Sequence, residues 1–123
     1  IVDNPTGYGR IIRDHQSGDV IDIIEEKDAT PEQKQIREVN TGIFCFDNQS
    51  LFQALPGITN NNEQQEFYLT DIVKVMKKSG LSNGKKRFEA IILQDPVEVM
   101  GINSPDQLAE ADRAYHARIQ ASA

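Results

Sequence analysis

A chain of 123 residues has room for one domain or part of one, and 38% hydrophobic with 26% charged residues is a globular composition, neither disordered nor fibrous. A formal charge of −6 argues against a general nucleic-acid binder, which carries a basic face. No stretch is long and apolar enough to span a membrane, and no charged-then-apolar leader is present, so a cytoplasmic protein without nucleic-acid or membrane partners is expected.

The chain opens at Ile1 without an initiator Met, so upstream residues are expected. Gly9–Arg13 reads as a short strand, Gln16-Ser17-Gly18-Asp19 as a turn, and Val20–Glu25 as its hairpin partner. Asp28–Arg37 is polar and carries Pro31, which suits a loop or one helical turn. Val39–Phe46 is rich in strand formers and reads as a central strand, with Cys45 as a small core residue that has no second cysteine to pair with. Asn48 or Ser50 is expected to cap a short helix through Leu55 that ends at Pro56-Gly57.

After the Asn60–Asn62 loop, a helix starting at Thr70 or Asp71 buries Ile72, Val75 and Met76 and stops at Gly80. Phe88–Leu93 reads as another strand. Ser104-Pro105-Asp106-Gln107 then supplies an N-cap, a first-turn proline and a capping-box glutamine for a final helix with Leu108, Ala111, Tyr115 and Ile119 on one face. Strands interleaved with helices imply an α/β layered domain, although about four strands are few for a doubly wound sheet.

Four segments carry more polar or glycine character than packing requires. Pro5-Thr6-Gly7-Tyr8-Gly9-Arg10 would let backbone approach a ligand, but a tight turn entering a strand fits it better. Glu25, in the run Ile24–Thr30, could accept from sugar hydroxyls or belong to a solvated charge cluster. Asn40, in Glu38–Gly42, offers both a donor and an acceptor; it suits a sugar hydroxyl pair and neighbouring backbone groups about equally. In Gln65–Asp71 an extended backbone would point Glu66, Tyr68 and Thr70 to one side, converging on a helix start; Thr70 could serve there as a plain N-cap as well.

Other signals fail. Gly80–Lys86 has glycine spacing one short of a P-loop and no Ser or Thr after the lysine, and Lys85-Lys86-Arg87 reads as a solvated hairpin tip. His15 and His116 lack metal-ligand spacing, and neither a Ser-His-Asp nor a Cys-His arrangement can be assembled. No catalytic residue is assigned.

Taken in order, Pro5–Ile11, Ile24–Thr30, Glu38–Gly42, Glu66–Asp71 and Gly101-Ile102-Asn103 resemble successive motifs of bacterial UDP-N-acetylglucosamine pyrophosphorylase, the N-terminal domain of the bifunctional uridyltransferase/acetyltransferase. The resemblance covers nearly the whole chain. It implies the C-terminal portion of a nucleotide-diphospho-sugar transferase domain, Rossmann-like, with a mixed sheet and flanking helices, so that residues 1–123 form one partial domain, the sugar-binding half. The reaction implied is uridylyl transfer from UTP to N-acetylglucosamine 1-phosphate, giving UDP-N-acetylglucosamine for cell-wall peptidoglycan and pyrophosphate. By resemblance, the Gly9 backbone and the side chains of Glu25, Asn40, Tyr68 and Thr70 contact the sugar, and Glu66 supports that site. Asn103 would hold Mg²⁺ with an aspartate from the missing N-terminal half.

Two departures stand out. Gln65 occupies a position where the family has glycine, which matters if positive φ is needed there, and Phe67 replaces a common tyrosine. The Gly-rich nucleotide-binding signature and the hexapeptide repeats of the acetyltransferase are absent. The chain alone is therefore expected to be catalytically silent, to bind UDP-N-acetylglucosamine weakly or undetectably, and to self-associate through surface that the missing half would cover. The alternatives are a related sugar-1-phosphate nucleotidyltransferase with another sugar or nucleotide, and a non-catalytic sugar-binding or assembly module.

Overall fold

A computed structural model describes residues 1–79 and 88–121, which fall into two compact units, Ile1–Ile91 and Ile92–Ala123. The expected stop at Gly80, the Gly80–Lys86 segment and the basic tip 85–87 lie outside the described residues.

The first unit is organised by a hairpin. Strand β1, Arg10–Arg13, pairs antiparallel with β2, Val20–Ile24, placing Arg10 opposite Ile24, Ile11 opposite Ile23 and Ile12 opposite Asp22. A bulge between Ile12 and Arg13 shifts the register so that Arg13 faces Val20. The turn is closed by Asp14, whose Oδ1 accepts from the backbone of Gln16 and Ser17, and by Gly18 at φ 73°. Burial of Ile11, Val20 and Ile23 directs this ribbon towards helix α2, Ile72–Lys78, which contributes Ile72, Val73 and Met76 to the same core. Ile72 is fully buried, and enclosing an aliphatic side chain of this size stabilises by about 1.5–3 kcal/mol. Lys74 fastens α2 to the ribbon from outside, 3.4 Å from Asp22 and 3.3 Å from Asp71.

Helix α1, Asn48–Ala54, is capped by Asp47, whose carboxylate accepts from the Ser50 backbone and hydroxyl, so neither Asn48 nor Ser50 is the cap. The following 3-10 turn, Leu55–Gly57, lies so close to α2 that a Cβ on Gly57 would meet Val75 Cγ1 at 2.7 Å.

Among the described residues, two expected strands do not form. Glu38–Asn40 pairs with Gly9–Ile11 through Ile11 N to Glu38 O at 2.9 Å and Asn40 N to Gly9 O at 2.8 Å, leaving an isolated bridge at Arg10 and Val39. Gly42 at φ 76° then turns the chain away before the ladder can extend through Phe46. Phe44 and Phe46 stack with centroids 5.5 Å apart and pack on the core, while Cys45 is exposed rather than buried. Phe88 and Ala90 also pack on the core, but Ile91 is 87% exposed and no ladder partner among the described residues makes this segment a strand. The expected mixed Rossmann-like sheet is thus, among the described residues, a two-stranded antiparallel one within a small α/β arrangement.

The second unit carries a 3-10 turn, Pro96–Val99, and helix α3, Pro105–Ala121. Ser104 Oγ accepts from Gln107 N, as expected of an N-cap. The Gln107 side chain accepts from Asn103 N, one residue earlier than a capping box requires. Leu108, Tyr115 and Ile119 are exposed on α3.

Candidate functional site

Four of the residues singled out in sequence meet at one end of the hairpin. Glu25 directly follows β2, and its Oε1 accepts a hydrogen bond from Thr70 Oγ1 at 3.0 Å. Gly9 precedes β1 and is buried against the same carboxylate; a Cβ built there would lie 3.3 Å from Glu25 Oε2. Asn40 joins through its backbone, donating to the Gly9 carbonyl, and its Oδ1 accepts from Gly42 N at 3.2 Å. The backbone-satisfying role weighed for Asn40 is therefore occupied on the acceptor side.

Thr70 does not cap a helix. It is the buried middle residue of a 3-10 turn, Leu69–Asp71, that runs into α2, and its hydroxyl is committed to Glu25. Because the backbone has already coiled at Leu69, strict alternation from Glu66 to Thr70 is broken: Glu66 is exposed, Tyr68 half-buried and Thr70 buried. Tyr68 nonetheless belongs to the cluster electrostatically. Its phenol is pushed up, first by desolvation and then by the charges of Asp28, Glu66 and Glu25, and its hydroxyl donates to Gln64 Oε1 at 2.7 Å.

The segment before Tyr68 is shaped by residues the sequence did not single out. Asn62 clamps Glu66, its Oδ1 accepting from Glu66 N at 3.1 Å and its amide donating to Glu66 O. Asp28 Oδ1 accepts from Glu63 N at 2.9 Å, drawing this loop to the end of β2. Gln65 adopts φ 56°, the left-handed conformation that glycine accepts most easily. Phe67 is 72% exposed.

The arrangement offers a carboxylate acceptor, a phenol, a glycine that permits close approach and an amide side chain, a set suited to hydroxyl-rich ligands. It contains no paired nucleophile and base. Asn103 lies in the second unit, exposed. Its amide oxygen is a hard donor of the kind Mg²⁺ takes, but one oxygen does not hold the ion, and no group of three or more His, Cys, Asp or Glu among the described residues is placed to hold a metal ion.

Comparison with known proteins finds relatives of this segment. Bifunctional protein GlmU of Pelotomaculum thermopropionicum is 51% identical over 95% of this chain, that of Enterococcus faecalis 48% over 95%, and that of Clostridioides difficile 47% over 98%. Over nearly its whole length, the chain matches a segment of GlmU. It spans about a quarter of the length of these GlmU relatives, 24% of the first two and 25% of the third. No family model matches the chain. The match to GlmU agrees with the resemblance carried by the five motifs. Among the described residues, no helix is long and apolar enough to cross a membrane.

Proposed function

We propose that this chain is the sugar-binding part of a nucleotidyltransferase domain that makes UDP-N-acetylglucosamine and pyrophosphate from UTP and N-acetylglucosamine 1-phosphate. The observation that carries the reading is the contact of Thr70 with Glu25 beside Gly9 and Asn40, which brings residues from four separated motifs to one place. Glu25 Oε2, the Asn40 side chain and Tyr68 would meet the sugar hydroxyls and acetamido group. Gly9 would let the backbone approach, and Glu66 would steady Tyr68 from outside.

In-line uridylyl transfer needs positioning and charge neutralisation rather than a protein nucleophile, which accords with the absence of one in the cluster. Mg²⁺ would neutralise charge on the reacting phosphates, with Asn103 supplying one oxygen beside an aspartate from the N-terminal half. The parent would serve cell-wall precursor synthesis in the cytoplasm. This piece alone would not turn over. A uridyltransfer assay with UTP, Mg²⁺ and N-acetylglucosamine 1-phosphate tests that, and ordinary turnover by the isolated chain would contradict it. The first unit would self-associate through surface that the N-terminal half covers, with the individually exposed Ile43, Phe52 and Phe67 as candidate contacts, and a single monomer species in sedimentation at high concentration would count against it.

A further inference from the structure

We infer that Arg10 is a positioning residue for this site, clamping three backbone segments so that Gly9 lies against Glu25; the inference rests on reading the cluster as a sugar-phosphate site. Arg10 is 1% exposed, almost as buried as any residue of the core. Its guanidinium reaches in three directions: Nη1 donates to the Tyr8 carbonyl, and Nη2 donates to Glu26 Oε2 at 2.6 Å and to the Lys34 carbonyl at 3.2 Å. Glu26 in turn accepts from Gly7 N at 3.3 Å through the same oxygen. One ion pair thus joins the Gly7–Gly9 turn to the end of β2 and to the 3-10 turn Gln33–Gln35.

The clamp brackets the site. Residues 8 and 10 flank Gly9, and Glu26 neighbours Glu25, so the carboxylate and the glycine it abuts are each held from one residue away.

Stability alone does not explain this choice. Arg10 is buried while Glu26 is 28% exposed, and desolvating the guanidinium offsets much of the attraction, so the pair contributes little net stability against apolar residues of similar volume. Arg10 also leaves Nε buried without a hydrogen-bond partner among the described residues, a cost an apolar side chain would avoid. The planar fork reaches the two carbonyls and the carboxylate from two separate nitrogens, Nη1 and Nη2, whereas lysine would have to reach all three from one ammonium nitrogen. Geometry at Gly9 and Glu25 is what the arginine secures.

Two substitutions in this chain test the inference, Arg10→Lys and the gentler Glu26→Gln, read by amide hydrogen exchange. The expected result is at least tenfold faster exchange at Gly7 and Asn40 in Arg10→Lys and a smaller rise in Glu26→Gln, with Ile72, Val73 and Met76 within about twofold of the parent chain. Unchanged exchange at Gly7 and Asn40 in both variants, or a uniform rise that includes α2, would overturn it. A parallel titration with N-acetylglucosamine 1-phosphate separates the two readings. Loss of chemical-shift response at Gly9 and Thr70 in Arg10→Lys supports the clamp, and a full response there contradicts it. If the parent chain itself fails to respond, the sugar-site reading falls and the exchange result alone judges the clamp.

Discussion

The Thr70 hydroxyl donates to Glu25 Oε1 at 3.0 Å, joining residues 45 positions apart at the junction of β2 and α2. Thr70 is buried and Glu25 partly so, which leaves the second carboxylate oxygen of Glu25 beside Gly9. Thr70→Val keeps the volume and deletes the donor. It is expected to weaken binding of N-acetylglucosamine 1-phosphate about tenfold, a change of ~1.4 kcal/mol, while Thr70→Ser retains most of the affinity. Equal affinity of the Val variant and the parent chain would show that this bond does not order the site.

Gly9→Ala separates stability from binding. The added Cβ would press on the Glu25 carboxylate at 3.3 Å, and that carboxylate is the far end of a flexible side chain able to swing aside. Thermal denaturation is expected to show a cost below about 1 kcal/mol. Ligand titration is expected to show loss of most binding, because Glu25 leaves Thr70.

Gln65 spends its backbone in the left-handed region at φ 56°. Gln65→Gly is expected to raise stability by about 0.5–1 kcal/mol, and Gln65→Val to lower it by about 1 kcal/mol or more, since β-branching worsens the clash. Denaturant midpoints measure both.

The acid limb of stability follows from carboxylates held below their usual range. Glu26 is pushed up by desolvation, but the hydrogen bond and charge of Arg10 with the Gly7 amide outweigh this and leave it lowered. Asp14 and Asp47 are lowered by hydrogen bonds, Asp14 from the Ser17 backbone foremost and Asp47 from the Ser50 hydroxyl foremost. A folded-state pKa below the unfolded value contributes stability that is present above the unfolded value and lost as pH falls through the folded one. Asp22, raised by desolvation and only partly relieved by Lys74, works in the opposite sense. Thermal midpoints are therefore expected to hold from neutral pH down to the carboxylate range and to fall below it. In Glu26→Gln the fall is expected to be shallower.

Sequence patterning located the hairpin to within a residue at either end, because Gly18 and the isoleucine-rich β2 are local signals. It placed Gly9, Glu25, Asn40 and Thr70 on separate motifs and, through the resemblance, in one site. What it missed was non-local. Arg10 to Glu26, Asp28 to Glu63 and Lys74 to Asp22 are pairings that no periodicity encodes. The expected strands over 39–46 and 88–93 had the right residue types, but a strand also requires a ladder neighbour, and Gly42 removes the first from its own. Cys45 was misplaced for the same reason: alternation assigns an inside and an outside only where a sheet exists. Gln65 shows the converse, since the positive φ considered for that position is present without the glycine.

The most direct test of the sugar site is an NMR titration of the isolated chain with UDP-N-acetylglucosamine into the millimolar range, where weak affinities of about −4 kcal/mol are read. Weak shifts that centre on Gly9, Glu25, Asn40, Tyr68 and Thr70, stay unsaturated in this range and shrink about tenfold in Thr70→Val are the expected result. Shifts centred elsewhere, or shifts at those five residues that are undiminished in Thr70→Val, would contradict it.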